Sequence, residues 1–179
     1  SGKALDSGKV FKARNEELEM AEELEVWKVV DRESWMKVVG TRWIDINKGD
    51  EEDTNYRSRF VAKEIKMGND VSEIAQFFAA TPPSSALKML FVMATSWGWY
   101  EMDGSRYERR EIFVIALLDI SRAYWHADAT REIFIELPEE LGAGKGKVGK
   151  LLKSMYGTRD AGKNFASFMS KMMVALGFV

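Results

Sequence analysis

The sequence predicts an α+β fold, and three observations predict it. Runs rich in Val, Ile and Trp cluster in residues 26–65, which is strand composition. A run of strong helix formers stands before that cluster, and segments with helical spacing stand after it and at the end of the chain. Strand and helix do not alternate in the way a parallel βαβ sheet requires. The expected order is helix, antiparallel strands, helix, strand, strand, helix.

The elements follow in order. "ARNEELEMAEELE" (13–25) is an acidic run of strong helix formers. "VWKVV" and "MKVVGTRWIDIN" read as strands, and "KGDEEDTN" as a turn. "YRSRFVAKEI" alternates basic and apolar residues, which suits a third strand with one exposed face. Residues 26–65 are therefore expected to form one small antiparallel sheet, with its basic side chains on one side. "TPPSSALKMLFVMATSWGW" opens with Pro-Pro-Ser, a helix start, and places Leu87, Leu90, Phe91, Ala94 and Trp97 at helical spacing. "EMDGSRYERRE" is a polar connection into the unbroken apolar run "IFVIALL" (112–118), read as a buried strand. "EIFIELP" is a further strand, "GAGKGKVGK" a Gly/Lys turn. The last segment sets Phe165, Phe168, Met169, Met172 and Leu176 on one helical face, expected to pack in the core.

Composition excludes several classes. With no cysteine there are no disulfides or thiolate metal sites. No apolar run reaches membrane-spanning length, and the charged N-terminus lacks a signal-peptide core, so an intracellular, non-secreted setting is expected. A net charge of −2 gives no global attraction to nucleic acid, so such binding has to rest on local patches. "GKGKVGKL" (144–151) follows a phosphate-loop spacing for seven positions but has Leu151 where a magnesium-binding hydroxyl belongs. It reads as a basic turn. His126 is the only histidine, too few partners for a triad or zinc site, and its reading is structural.

Two basic groups remain. Arg57, Arg59 and Lys63 lie two and four apart on one strand and would share a face. Lys145, Lys147, Lys150, Lys153, Arg159 and Lys163 form a second cluster, set in sequence against the single acid Asp160. Each alone is more simply a solvated face than a phosphate site. Asp119 ends the apolar run, where an acid is either an N-cap for the following turn or a ligand for something positive. "DISRAY" adds an aromatic ring five residues on, at Tyr124. That spacing suits nucleotide polymerisation, in which a strand-end carboxylate meets magnesium, the backbone after it touches the triphosphate, and the ring blocks a 2′-hydroxyl.

In this order "VWKVV", "TRWIDINK", "NYRSRFVAKE", "QFFAATPPSSALKMLFVMA", "LLDISRAYWHA", "EIFIELPEEL", "VGKLLKSMYGTRDAGKNF" and "LGF" resemble the front part of a Ty1/copia-type retrotransposon reverse transcriptase. The likeness covers roughly residues 15–178. It implies the fingers and partial palm of a right-hand polymerase. Residues 1–25 would be a leading helical segment, 26–110 fingers-like, and 111–179 the start of the palm, before the family's "YxDD" hairpin. By resemblance Asp119 is catalytic and the first metal-binding carboxylate, for magnesium or manganese. Ile120, Tyr124 (the steric gate), Arg57, Arg59 and Lys63 would meet the nucleotide. Tyr156, Gly157, Arg159, Lys150 and Lys153 would meet nucleic acid. The implied partners are RNA or DNA primer–template, deoxynucleotides and the rest of a polyprotein (remaining palm, thumb, RNase H), with no membrane. The implied setting is a cytoplasmic virus-like particle or the nucleus.

The sequence also departs from the family pattern. "LKQAP" stands as Thr158-Arg159-Asp160-Ala161-Gly162, with an acid in place of the usual Gln, and "FLnG" as "YWHA". No Asp-Asp pair occurs in the 179 residues, so this chain alone is expected to be inactive. The alternatives are a non-catalytic nucleic-acid-binding module and an inactive remnant.

Overall fold

The computed structural model describes residues 4–50, 52–64, 83–95, 99–102, 105–108 and 119–178. The chain divides into two compact units, Ser1–Ala79 with Arg122–Val179, and Ala80–Ser121. The fold is mixed α and β. The expected buried strand 112–118, and Trp97, lie outside the described residues.

The larger unit opens with α1 (Ser7–Glu23), which starts six residues before the acidic run because Asp6 caps it, its carboxylate accepting from Lys9 N–H at 2.9 Å. Ala13, Glu17, Leu18 and Ala21 form its buried stripe. Four strands make one sheet in the order β1-β8-β7-β2: Trp27–Asp31, Lys147–Leu151, Phe134–Ile135 and Val38–Val39. β1 runs antiparallel to β8, β8 antiparallel to β7, and β2 parallel to β7. β3 (Thr41–Asn47) and β4 (Tyr56–Ala62) form a separate antiparallel hairpin. The single small sheet expected over 26–65 is therefore not formed. Local composition marks strands, but strand partners come from the core each face joins. The Gly/Lys "turn" is in its second half strand β8, because Val148 and Leu151 bury beside β1 and β7.

One core joins the sheet to the hairpin: Phe60, Ala62, Ile133, Ile135, Leu151 and Met155, with Trp27, Val39 and Trp43 against it. A second patch, Ala21, Val26 and Trp125, seats α1 on the 3-10 turn Ala123–His126. α3 (Ala161–Ala175) closes the unit. Its apolar face is not the core that its period suggests: Phe165, Phe168, Met169 and Met172 are half-buried, Leu176 is exposed, and among the described residues the helix buries only Ala161 and Asn164.

The smaller unit holds α2 (Ser84–Thr95), where the Pro-Pro-Ser signal placed it, with Leu87, Leu90 and Phe91 exposed. The segment read as a polar connection contains a hairpin instead, β5 (Trp99–Met102) with β6 (Ser105–Glu108). Asp103-Gly104 stands between those strands, a pair that favours tight hairpin turns.

β4 would carry an open edge opposite β3, and three groups cover it. The Glu17 carboxylate lies against Phe60 N–H. Ala62 N–H donates to the Tyr156 carbonyl at 2.8 Å and Glu64 N–H to the Gly157 carbonyl. Gly157 has φ +87°, and a Cβ there would stand 1.9 Å from the Ala62 carbonyl oxygen. Gly157→Ala should therefore cost about 3 kcal/mol or more, since backbone conformation and close approach both fail. Gly142→Ala, also at positive φ but with nothing within 4 Å, should cost about 1 kcal/mol. Urea denaturation of both variants checks this, and equal losses would remove the close approach at the edge as the cause.

Candidate nucleotide and nucleic-acid site

Arg57 and Arg59 stand opposite Ile46 and Ile44 on the hairpin face turned away from Trp43 and Phe60. The Arg59 guanidinium lies 5.6 Å over the Tyr156 ring. That ring meets the Tyr124 ring at 4.7 Å, and Tyr124 meets Phe165 at 5.9 Å. Burial pushes the Tyr156 hydroxyl's pKa up, with Arg59 opposing. Four residues distant in sequence thus form one half-buried file of rings ending in a cation. Arg57 reaches the same place by its charge, which acts on both Tyr156 and Glu17.

The other predicted residues are placed as follows. Lys63 lies past the end of β4, with its side chain over Gly40 beside Glu136. Gly157 makes the backbone approach described above. Arg159 is turned to Glu64, its backbone N–H bonded to that carboxylate at 2.8 Å and its Nε 3.7 Å away. Lys150 pairs with Glu132, and Lys153 with Asp128 at 2.7 Å. Lys147 pairs with Asp31. The second basic cluster is not faced by one acid, because Asp31 at the end of β1, Glu132 just before β7 and Asp128 upstream of it each meet one of its lysines. Asp119 is exposed and Ile120 half-buried, in the smaller unit. The residue before the 3-10 turn is Arg122, whose side chain makes no capping bond. His126 stacks on Phe168, a packing role.

Asp160, the acid in place of the family's Gln, does not face outward. It is 4% exposed, takes a 2.8 Å bond from Arg131, and lies beside Thr130 and Asn164. Arg131 also donates both ends of its fork to Glu64, at 3.0 and 2.9 Å. Burial raises the pKa values of Glu64 and Asp160, but Arg131 outweighs it and holds both below the usual carboxylate range. The added charge is thus taken up inside the fold. Sequence reasoning missed Arg131, Glu64, Glu17 and Arg122. A signal existed only for Glu17, a carboxylate on the Ala13–Ala21 stripe of its helix.

Among the described residues no three His, Cys, Asp or Glu side chains gather to hold a metal ion. Asp119 is one carboxylate, so the described residues do not by themselves fit a two-ion centre. No described helix is long and apolar enough to cross a membrane.

Two arginines on one hairpin face, with Arg59 over the Tyr156–Tyr124 ring pair, set cations beside aromatic faces, an arrangement that can receive a phosphate and a ring. Residues 24–179 match the family model described as reverse transcriptase (RNA-dependent DNA polymerase), and the chain belongs to that family. It is 28% identical over 174 residues to the retrovirus-related Pol polyprotein from transposon TNT 1-94 of Nicotiana tabacum, a match covering 92% of this chain. The chain spans 12% of that relative's length. It is thus a copia-type reverse transcriptase region. No solved structure matches. Members of the family generally use divalent metal ions.

Asp160 and Glu64, with lowered pKa values, stabilise the fold above their unfolded values near 4 and lose that contribution as pH falls through the folded values. Asp160→Asn should cost about 2 kcal/mol at pH 7 and flatten the acid limb of stability below about pH 4. Denaturant titrations between pH 2 and 7 measure both. An acid limb as steep as in the parent chain would assign the loss to other carboxylates.

Proposed function

We propose that this chain is the fingers and the start of the palm of an RNA-directed DNA polymerase, acting within a Pol polyprotein on primer–template and deoxynucleotides in an intracellular particle or the nucleus. The observation that carries the reading is the file Arg59–Tyr156–Tyr124. It joins the fingers strand, the "YGTRDA" segment and the "DISRAY" motif, which the family resemblance assigns to one substrate. In the intact enzyme Asp119 contributes one carboxylate to the magnesium site, with the remaining ligands from outside this chain. Arg57 and Arg59 meet phosphates, and Tyr124 lies under the sugar. A ring there excludes a 2′-hydroxyl by steric conflict, a device that acts against the wrong substrate and gives no attraction to the right one.

The purified 179-residue chain should bind primer–template in a salt-dependent manner and fail to extend the primer. Arg57→Ala with Arg59→Ala should lower the slope of log affinity against log salt by about two units, one for each phosphate no longer neutralised. Lys63→Ala should change the slope far less, since that side chain lies over Gly40 beside Glu136. Equal slopes in parent and double variant would assign the arginines to an idle face. Robust synthesis by this chain alone would overturn the division of the metal site.

In a polymerase that carries this segment, Tyr124→Val should raise ribonucleotide insertion relative to deoxynucleotide about tenfold or more, which is about 1.4 kcal/mol of lost discrimination. Asp119→Asn should abolish insertion and leave primer–template binding intact. Single-nucleotide insertion kinetics give both answers, and unchanged discrimination in Tyr124→Val would remove the gate.

A further inference from the structure

We propose that Glu17, on the helix that precedes the family-matched segment, is a positioning residue for Tyr124, holding through Arg122 the turn that carries the ring. The proposal rests on the reading of Tyr124 as a gate, but its geometry stands without that reading. Glu17 is 3% exposed, and its Oε2 accepts from Arg122 Nε at 2.8 Å. Arg122 has φ 50°, a left-handed conformation that residues other than Gly, Asn and Asp seldom adopt. From that conformation its carbonyl accepts from Trp125 N–H at 2.9 Å, which starts the turn, and the Tyr124 carbonyl then accepts from Ala127 N–H. The same guanidinium lies 5.8 Å over the fully buried Trp125 ring.

Glu17 also touches the other half of the site. Its carboxylate lies against Phe60 N–H, next in sequence to Arg59, which covers Tyr156. Glu17 thus lies where α1 packs on β4 and bonds the Arg122 turn, and the Tyr124–Tyr156 contact spans those two pieces. Stability does not account for the carboxylate. Its Oε1 and the Trp125 Nε1 are both buried without a hydrogen-bond partner. Burial also pushes the carboxyl's pKa up, and Arg122 only partly opposes it. A charge buried on these terms is commonly replaceable by apolar side chains without loss of stability. What an apolar side chain would not supply is a directed grip on a strained arginine.

The test uses the 179-residue chain carrying 3-fluorotyrosine, with the Tyr124 19F resonance assigned through Tyr124→Phe. Glu17→Gln keeps the shape and removes the charge. The Tyr124 resonance should move or broaden, and amide exchange over residues 122–127 should rise about tenfold while β7 and β8 stay protected. The double variant Glu17→Gln with Arg122→Gln removes the orphaned guanidinium. It should recover the parent unfolding midpoint and still leave the Tyr124 resonance displaced, which a merely structural role would not do. If Glu17→Gln fails to fold, Arg122→Lys keeps the cation, loses the Nε bond, and should displace the same resonance. An unmoved resonance, or faster exchange spread evenly through the chain, overturns the proposal. Because no nucleotide is present, this result is separate from the Tyr124→Val discrimination test, which alone decides the gate.

Discussion

The open edge of β4 is the constraint on which the larger unit depends. A strand paired on one side presents N–H groups that have to be satisfied or left to recruit another chain. Here the Tyr156 and Gly157 carbonyls supply acceptors, and the Glu17 carboxylate lies against Phe60 N–H. They come from two distant parts of the sequence, α1 and the Tyr156-Gly157 pair, so covering the edge also assembles α1, the hairpin and the segment before α3. The Tyr156 carbonyl that takes Ala62 N–H belongs to the residue whose ring receives Arg59 and Tyr124. Edge protection and site construction are therefore one backbone arrangement, and Gly157 is needed for both because nothing larger fits against Ala62.

Two arginines do for the charges what those carbonyls do for the edge. Arg14 bridges Asp45 on β3 and Glu140 in the turn after β7, and lies over Trp43. Arg131 bridges Glu64, just past β4, and Asp160, just before α3. Each shared cation ties together elements that touch little otherwise, and partial burial keeps solvent from screening the pairs. The exposed lysine pairs along β8 are of a different kind, since such pairs contribute about 0–1 kcal/mol and leave the lysines accessible. Asp160 shows how a departure from a family pattern can be absorbed. Its charge is taken up by Arg131 inside the fold.

Elements with a strong local signal were legible in the sequence. Helix-forming composition marked α1, helical spacing marked α2 and α3, and β-branched and aromatic runs marked β1, β3 and β4. The order of "RSRFVAK", "DISRAY" and "YGTRDA" carried the family. The β5–β6 hairpin was missed because its strands are short and its first residue, Trp99, closes the run read as helical. β8 was half hidden in a Gly/Lys run. For β8 the burial of Val148 and Leu151, invisible to local composition, is what holds the strand in the sheet.

The sequence by itself determined the mixed α and β class and the family, because these depend on local propensity and on motifs read in order. Only the tertiary structure decided partners. It separated β1 from β3, laid β2 parallel to β7, and set lysines against acids far away in the chain. It also put Glu17, outside the matched segment, under the Tyr124 turn. The physical reason is that pairing and burial are settled by which surfaces meet once the chain is compact. A one-dimensional pattern records which residues can be buried or charged, and not which other residue they will meet.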